Sequence, residues 1–172
     1  LNTINKRSKG LAKFVEDYRN LTQLSTPSIS DFSIESFFSN IKTLFAEEIK
    51  NKGIDLNTSS PAGMIITADE KLLEQVIINL VRNSIHAVED VGRPAISLNA
   101  FEKRNQKIIQ VSDNGTGIPP DLIDSIFIPF FTTREKGSGI GLSLSRQIMR
   151  LHNGTISVES TDERGTTFAL LL

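Results

Sequence analysis

The chain has 172 residues, a formal net charge of −1 and no cysteine. That length can bury one real core, and so small a charge gives no support for binding nucleic acid or another bulk polyanion. The lack of thiols excludes disulfides, thiolate catalysis and zinc–thiolate centres, and it fits a reducing compartment. No apolar run approaches the roughly 20 residues that span a bilayer. The opening LNTINKRSKG has neither an apolar signal core nor an initiator Met, so the chain reads as a piece of something longer.

Residues 1–26 read as a helix. Ile4, Leu11 and Tyr18 recur at intervals of seven, and Phe14 and Leu21 form a second such row, together a short a/d-like seam. The seam either packs on its own domain or forms half of a dimeric coiled bundle. Pro27 cuts it off, and 27–31, in the turn-rich stretch STPSISD, reads as a linker. The remainder, 32–172, reads as one α+β domain. Its first helix, over about 34–52, places Phe37, Phe38, Ile41, Leu44, Phe45 and Ile49 on one side and stops at Gly53. Short strands follow at 54–57 and 64–67.

The next helix, DEKLLEQVIINLVRNSIHAVED, begins at Thr67 or Asp69 as N-cap and ends near Gly92-Arg93-Pro94. Leu73, Val76, Ile77, Leu80 and Ile85 form its buried face, and Gln75, Asn79, Arg82, Asn83, His86 and Asp90 form a polar stripe opposite. Asparagine is a middling helix former, so two of them one turn apart call for a reason beyond the helix itself. A hairpin of strands at 95–101 and 107–112 turns through EKRNQ. Then come the loop DNGTGIPP, a short helix over about 121–126 and a long loop through Ser138. A helix over about 139–151 stops at Asn153-Gly154, and strands at 155–159 and 166–171 flank TDERG. The elements assemble as a mixed, mostly antiparallel sheet covered on one face by about three helices.

Asp113-Asn114-Gly115-Thr116-Gly117 follows directly on a strand and, alone, would be an ordinary glycine turn. A second cluster, Gly137-Ser138-Gly139-Ile140-Gly141-Leu142, opens a helix, where alternate glycines let backbone approach a ligand and free N–H groups face an anion. Neither GxGxxG nor GxxxxGK[ST] is present, so any nucleotide is held in another way. Between the clusters, Phe127-Ile128-Pro129-Phe130-Phe131-Thr132-Thr133-Arg134-Glu135-Lys136 does not alternate like a strand. It is either a buried loop or a lid that presents Arg134 and Lys136 to phosphates.

The order Asn79…Asn83, Asp113-x-Gly-x-Gly, 127–133, 137–142 and Gly165-Thr166 resembles the ATP-binding catalytic domain of two-component sensor histidine kinases, of the nitrogen-regulation type. In that family the motifs are the N box, first glycine box, F box and second glycine box. The domain is related to the gyrase, heat-shock and mismatch-repair ATPases and has the Bergerat-type α/β sandwich. Residues 1–26 resemble the second helix of the family's dimerisation hairpin.

The resemblance implies Mg-ATP, with Asn83 as metal ligand and Asn79 beside metal and phosphates. Asn79 stands where the related ATPases carry a glutamate that activates water, which favours phosphoryl transfer over hydrolysis. Asp113 accepts from the adenine amino group, Gly115 and Gly117 pass the base, and Thr166 serves the same adenine edge. Gly139, Gly141 and Leu142 bring N–H groups to the phosphates. Ile118, Phe130, Thr132, Thr133, Arg134, Lys136, Gly137, Ser138 and Ile140 complete the implied nucleotide contacts. His86 is either a phosphate contact or a solvated helix histidine. Ala87 stands where some relatives carry a larger residue, which loosens contact with adenine.

The family's phosphoacceptor motif is absent, and neither His86 nor His152 has its context, so the chain should bind ATP without phosphorylating itself. The expected acceptor is a histidine on a phosphoacceptor hairpin, and the expected onward partner is a response-regulator receiver domain. The parent would be a homodimer whose catalytic part is cytoplasmic. An ATPase, a serine-directed kinase on the same fold and a pseudokinase scaffold are the competing readings.

Overall fold

The computed structural model describes residues 26–134, 137–161 and 165–172. All but the last residue of the helix expected over 1–26 therefore lies outside the described residues, as do Lys136 and most of the turn after Ser160. The first helix, α1 (Ile34–Lys52), has both boundaries set locally. The Ser33 hydroxyl accepts from Ser36 N–H, and Gly53 closes the far end in the left-handed conformation at φ 63°. Ile34, Phe37, Phe38, Ile41 and Phe45 are buried, whereas Leu44 is 57% exposed. At 100° per residue Leu44 falls about 80° from the centre of the buried stripe, beyond what the core covers.

Just before α1, β1 (Ser30–Ser33) pairs antiparallel with β3 (Ile65–Ala68) in a two-stranded ribbon. Ser30 and Asp31, read from sequence as linker, are thus strand. The principal sheet has five strands: β2 (Asp55–Ser59), β4 (Ala95–Lys103), β5 (Gln106–Asp113), β6 (Thr155–Ser160) and β7 (Thr166–Leu171). They lie in the order β2-β4-β5-β7-β6, and only the β2–β4 pair is parallel. The register stacks Leu98, Val111, Phe168 and Val158 in one cross-strand row and Ala100, Ile109, Leu170 and Ile156 in another. With Ile96, these rows meet the apolar faces of α1, α2 (Glu70–Ala87) and α3 (Gly141–Leu151) in one core. The other face carries Ser97, Asn99, Gln110, Ser112 and Thr167, none of them fully buried.

Helix α2 starts at Asp69, whose carboxylate accepts from Leu72 N–H at 3.1 Å, so Asp69 and not Thr67 is the cap. It ends at Ala87, short of Gly92, because the Ala87 carbonyl accepts a hydrogen bond from Thr116 N–H (3.1 Å) in the loop after β5. The start of α3 is two residues later than Gly139, which sits at φ 68° and cannot be helical. The expected helix at 121–126 is a single 3-10 turn, Pro120–Leu122, followed by further turns. Histidine 152 ties α3 to α2: Asp69 N–H donates to its Nε2 (2.9 Å), so Nδ1 carries the proton and donates to the Ile148 carbonyl (2.8 Å).

Candidate functional site

The polar stripe of α2, the ends of β5 and β7, the loop after β5, residues from 126–134 and 137–139 and the first turn of α3 enclose one cavity of about 450 Å³. It opens where the helix-facing rows of the sheet end. The last row there is Ile96, Asp113, Thr166 and Ser160, so β5–β7 pairing makes Asp113 and Thr166 direct cross-strand neighbours. Register alone therefore brings together two residues 53 positions apart.

Asp113 is held by three donors. Oδ1 accepts from the N–H groups of Gly115 (3.0 Å) and Thr166 (3.3 Å), and Oδ2 accepts from the Ser84 hydroxyl (2.8 Å). Burial pushes its carboxyl pKa up, and the Ser84, Gly115 and Thr166 hydrogen bonds oppose that rise without cancelling it. Gly165, at φ 82°, is required here, since a Cβ would lie 1.9 Å from the Asp113 carbonyl oxygen. Ser160 Oγ accepts from Ile118 N–H (2.8 Å), donates to the Gly165 carbonyl (3.0 Å) and lies 3.0 Å from Thr166 Oγ1. Because Ser160 has one proton, Thr166 donates to it, and Thr166 Oγ1 keeps its acceptor positions.

One to two turns back along α2, the wall changes character. Asn79 Nδ2 donates to Ser145 Oγ (3.1 Å), and a Cβ on Gly141 would lie 2.0 Å from Asn79 Oδ1, so this amide is seated against the opening turn of α3. Asn83 Oδ1 accepts from Arg134 Nη1 (3.0 Å), and the Asn83 carbonyl accepts from Nη2 (3.3 Å). The segment carrying Arg134 is kept in place by close approaches. Phe130, at φ 67°, donates its N–H to the Gly139 carbonyl (2.9 Å), and a Cβ on Gly139 would meet the Phe130 carbonyl carbon at 2.4 Å. At its base, Arg146 donates to the Phe127 carbonyl (3.2 Å) and lies over the Phe127 ring (5.2 Å). His86 Nδ1 is 3.2 Å from Glu89 Oε1, which also accepts from Lys52 (2.6 Å); Lys52 and then His86 hold the Glu89 carboxyl below its usual range.

Of the residues singled out from sequence, Asn79, Asn83, His86, Asp113, Gly117, Ile118, Thr132, Thr133, Arg134, Gly137, Ser138, Gly139, Gly141, Leu142 and Thr166 line this cavity. Gly115, Phe130 and Ile140 do not. A Cβ on Gly115 would lie 2.5 Å from the Ala87 carbonyl oxygen, so Gly115 lets the loop close on α2, with Ala87 small enough to receive it. Phe130 is partly exposed and Ile140 is in the core. Sequence reading missed Arg82, Thr116, Pro119, Leu122, Ile126, Phe131 and Phe168 as lining residues. Two had a signal: Arg82 lies in the polar stripe beside Asn83, and Phe168 shares a face with Thr166 two residues earlier.

Among the described residues, no three His, Cys, Asp or Glu side chains gather to hold a metal, and Asp113 is the only acidic residue on the cavity wall. The donor set at Asn83 fits a hard cation only when a ligand brings its own anionic oxygens. No described helix is long and apolar enough to cross a membrane.

The family model described as "Histidine kinase-, DNA gyrase B-, and HSP90-like ATPase" matches residues 68–172. Sensor histidine kinase ZraS of Salmonella typhimurium is 31% identical over 169 residues, 97% of this chain and 36% of that protein. Among solved structures, the catalytic domain of histidine kinase ThkA in a nucleotide-free form has 30% identity and a TM-score of 0.76, over 84% of this chain and 95% of that one. ThkA in complex with the response regulator TrrA has 27% identity and a TM-score of 0.81, over 99% of this chain and 49% of that one. The chain thus spans little more than a third of the length of ZraS.

Proposed function

Because the chain belongs to the histidine kinase-, DNA gyrase B- and HSP90-like ATPase family, as a histidine-kinase catalytic domain, we propose that its cavity holds Mg-ATP and donates the γ-phosphoryl group to a histidine on a phosphoacceptor hairpin. Asp113 and Thr166 face the adenine edge, and the opening turn of α3 with residues 132–134 and 137–139 faces the phosphates. Asn83 Oδ1 is the hard oxygen donor that would hold Mg²⁺, whose chemistry there is neutralisation of phosphate charge. Arg134 gives up its bond to that oxygen when the cation is held, and is then free for a phosphate oxygen.

One observation carries the choice of transfer over hydrolysis: the only described carboxylate on the wall is Asp113, already engaged by three donors. It lies at the level of Ser84, about 7.5 Å further along α2 than Asn79. Asn79 itself is an amide and cannot take a proton from water. Phosphoryl transfer needs alignment and charge neutralisation more than a base. His152 has both ring nitrogens engaged between α2 and α3, so the acceptor is sought elsewhere. Relay onward to a response-regulator receiver domain is supported by the ThkA relative, whose structure holds such a regulator. The seam in residues 1–26 supports a homodimeric kinase core.

The test is to add a separately produced hairpin bearing the phosphoacceptor histidine to the chain with γ-labelled ATP. Acid-labile, base-stable phosphate on the hairpin is expected. Rapid release of free phosphate with an unlabelled hairpin would overturn the kinase reading in favour of an ATPase.

A further inference from the structure

Ser84 follows Asn83 on α2 and is 1% exposed. Serine has no advantage over alanine inside a helix, so its hydroxyl needs a use. That hydroxyl donates to Asp113 Oδ2 at 2.8 Å, whereas Gly115 and Thr166 both donate to Oδ1. A carboxylate offers about four acceptor positions, two on each oxygen. The backbone donors therefore fill Oδ1, and Oδ2 keeps one position open to a ligand.

We propose that Ser84 is a positioning residue for base selection: it holds Asp113 Oδ2 as an acceptor, so that the site takes a purine with an exocyclic 6-amino group and refuses one with a 6-carbonyl. The inference rests on the reading of Asp113 as the adenine contact. The two N–H groups on Oδ1 cannot perform this role. They too favour the ionised form, but they can still be satisfied by the carbonyl oxygen of a neutral carboxylic acid, whose Oδ2–H would then donate to a 6-carbonyl. Ser84 is the donor that acts on the oxygen where the proton would sit, and a charge-assisted bond there favours the ionised form. Burial pushes Asp113 towards the protonated form; among the opposing hydrogen bonds Ser84 is the largest, and no charged group adds to the balance.

The experiment compares binding of ATP and ITP to the full chain carrying Ser84→Ala, Ser84→Cys or Asp113→Asn, between pH 5 and 8, with nucleotide-free thermal unfolding recorded for each. Ser84→Ala is expected to lower the ATP-over-ITP ratio about tenfold, the worth of one ordinary hydrogen bond. The ratio should also fall with acidification at a higher pH than in the parent, because loss of Ser84 moves Asp113 further up. Ser84→Cys, a weaker donor, should lie between. A folded Ser84→Ala chain that keeps the parent ratio throughout, or loses affinity for both nucleotides equally, overturns the role of Ser84. If Asp113→Asn also keeps the ratio, the adenine assignment itself fails. If Asp113→Asn loses it while Ser84→Ala does not, only the inference about Ser84 fails.

Discussion

At one end of the cavity Asp113, Thr166 and Ser84 stand on two paired strands and a helix, and their side chains are bonded to backbone N–H groups, to Ser160 or to each other. At the other end Thr132, Arg134, Gly137 and Gly139 belong to a stretch between Leu122 and Gly141 with no regular structure among its described residues. Ile126, Phe127 and Ile140 anchor that stretch in the core, and between them it is held by isolated hydrogen bonds and by glycines pressed against neighbouring backbone or side chains. The first arrangement suits a constant task, recognition of one base. The second suits a task whose partners change, since phosphate and cation must enter and leave.

Equivalent substitutions at the two ends should therefore have unequal effects. Gly165→Ala should be the most damaging. It combines φ 82° with a Cβ 1.9 Å from the Asp113 carbonyl oxygen, directly before β7, and should cost roughly 3 kcal/mol or more. Denaturant unfolding at the parent midpoint would break the comparison at its strongest point. Asp113→Asn should lower ATP-over-GTP selectivity by the worth of one charge-assisted bond, roughly 1.5–3 kcal/mol. It should not destabilise the free protein. The folded carboxyl is raised above 3.8, so the native state keeps a proton that the unfolded chain has released. Stability from this group falls as pH rises from 3.8 through the folded pKa, and its full cost is present only above the folded pKa. A calorimetric midpoint for Asp113→Asn well below the parent's at pH 7 would contradict that.

At the other end, Asn83→Ala should weaken Mg-ATP binding about tenfold and leave metal-free nucleotide binding nearly unchanged. Equal losses in both titrations would remove Asn83 as the cation's ligand. Gly139→Ala should be mildest for the whole chain, costing about 1 kcal/mol, although its Cβ would be 2.4 Å from Phe130 backbone. Its effect should appear as faster amide exchange confined to 127–139; global unfolding as severe as that of Gly165→Ala would show that the two ends are equally rigid.

What was readable in the sequence follows the same division between local and long-range causes. The limits of α1 are written in Ser33 and Gly53, adjacent to the helix they close. The end of α2 is set by Thr116, 29 residues beyond Ala87 and brought in by two strands, so local signals placed it too late. β1 was missed because a serine-bearing tetrapeptide becomes strand only through β3. In the site, the glycine clusters announced close approach but not to what. Gly115 meets Ala87, Gly139 meets Phe130 and Gly141 meets Asn79, so some glycines serve packing within the protein. Ser84 falls on the buried stripe of α2, four residues after Leu80, but its partner is on a strand whose register the sequence does not reveal.

The hairpin between β4 and β5 turns on Arg104 and Asn105 alone, both exposed and at φ 53° and 64°. Two positive-φ residues make this the mirror-image turn that matches strand twist, for which Asn-Gly is the preferred pair. It lies about 24 Å along β5 from Asp113. The protein thus carries, remote from its ligand cavity, a place where the fold can be altered independently of what it binds. Arg104→Asn with Asn105→Gly should raise the unfolding midpoint slightly and leave nucleotide affinity untouched. Because the chain has no cysteine, a single thiol placed there would also accept one probe or surface tether at a known position, with the cavity left free.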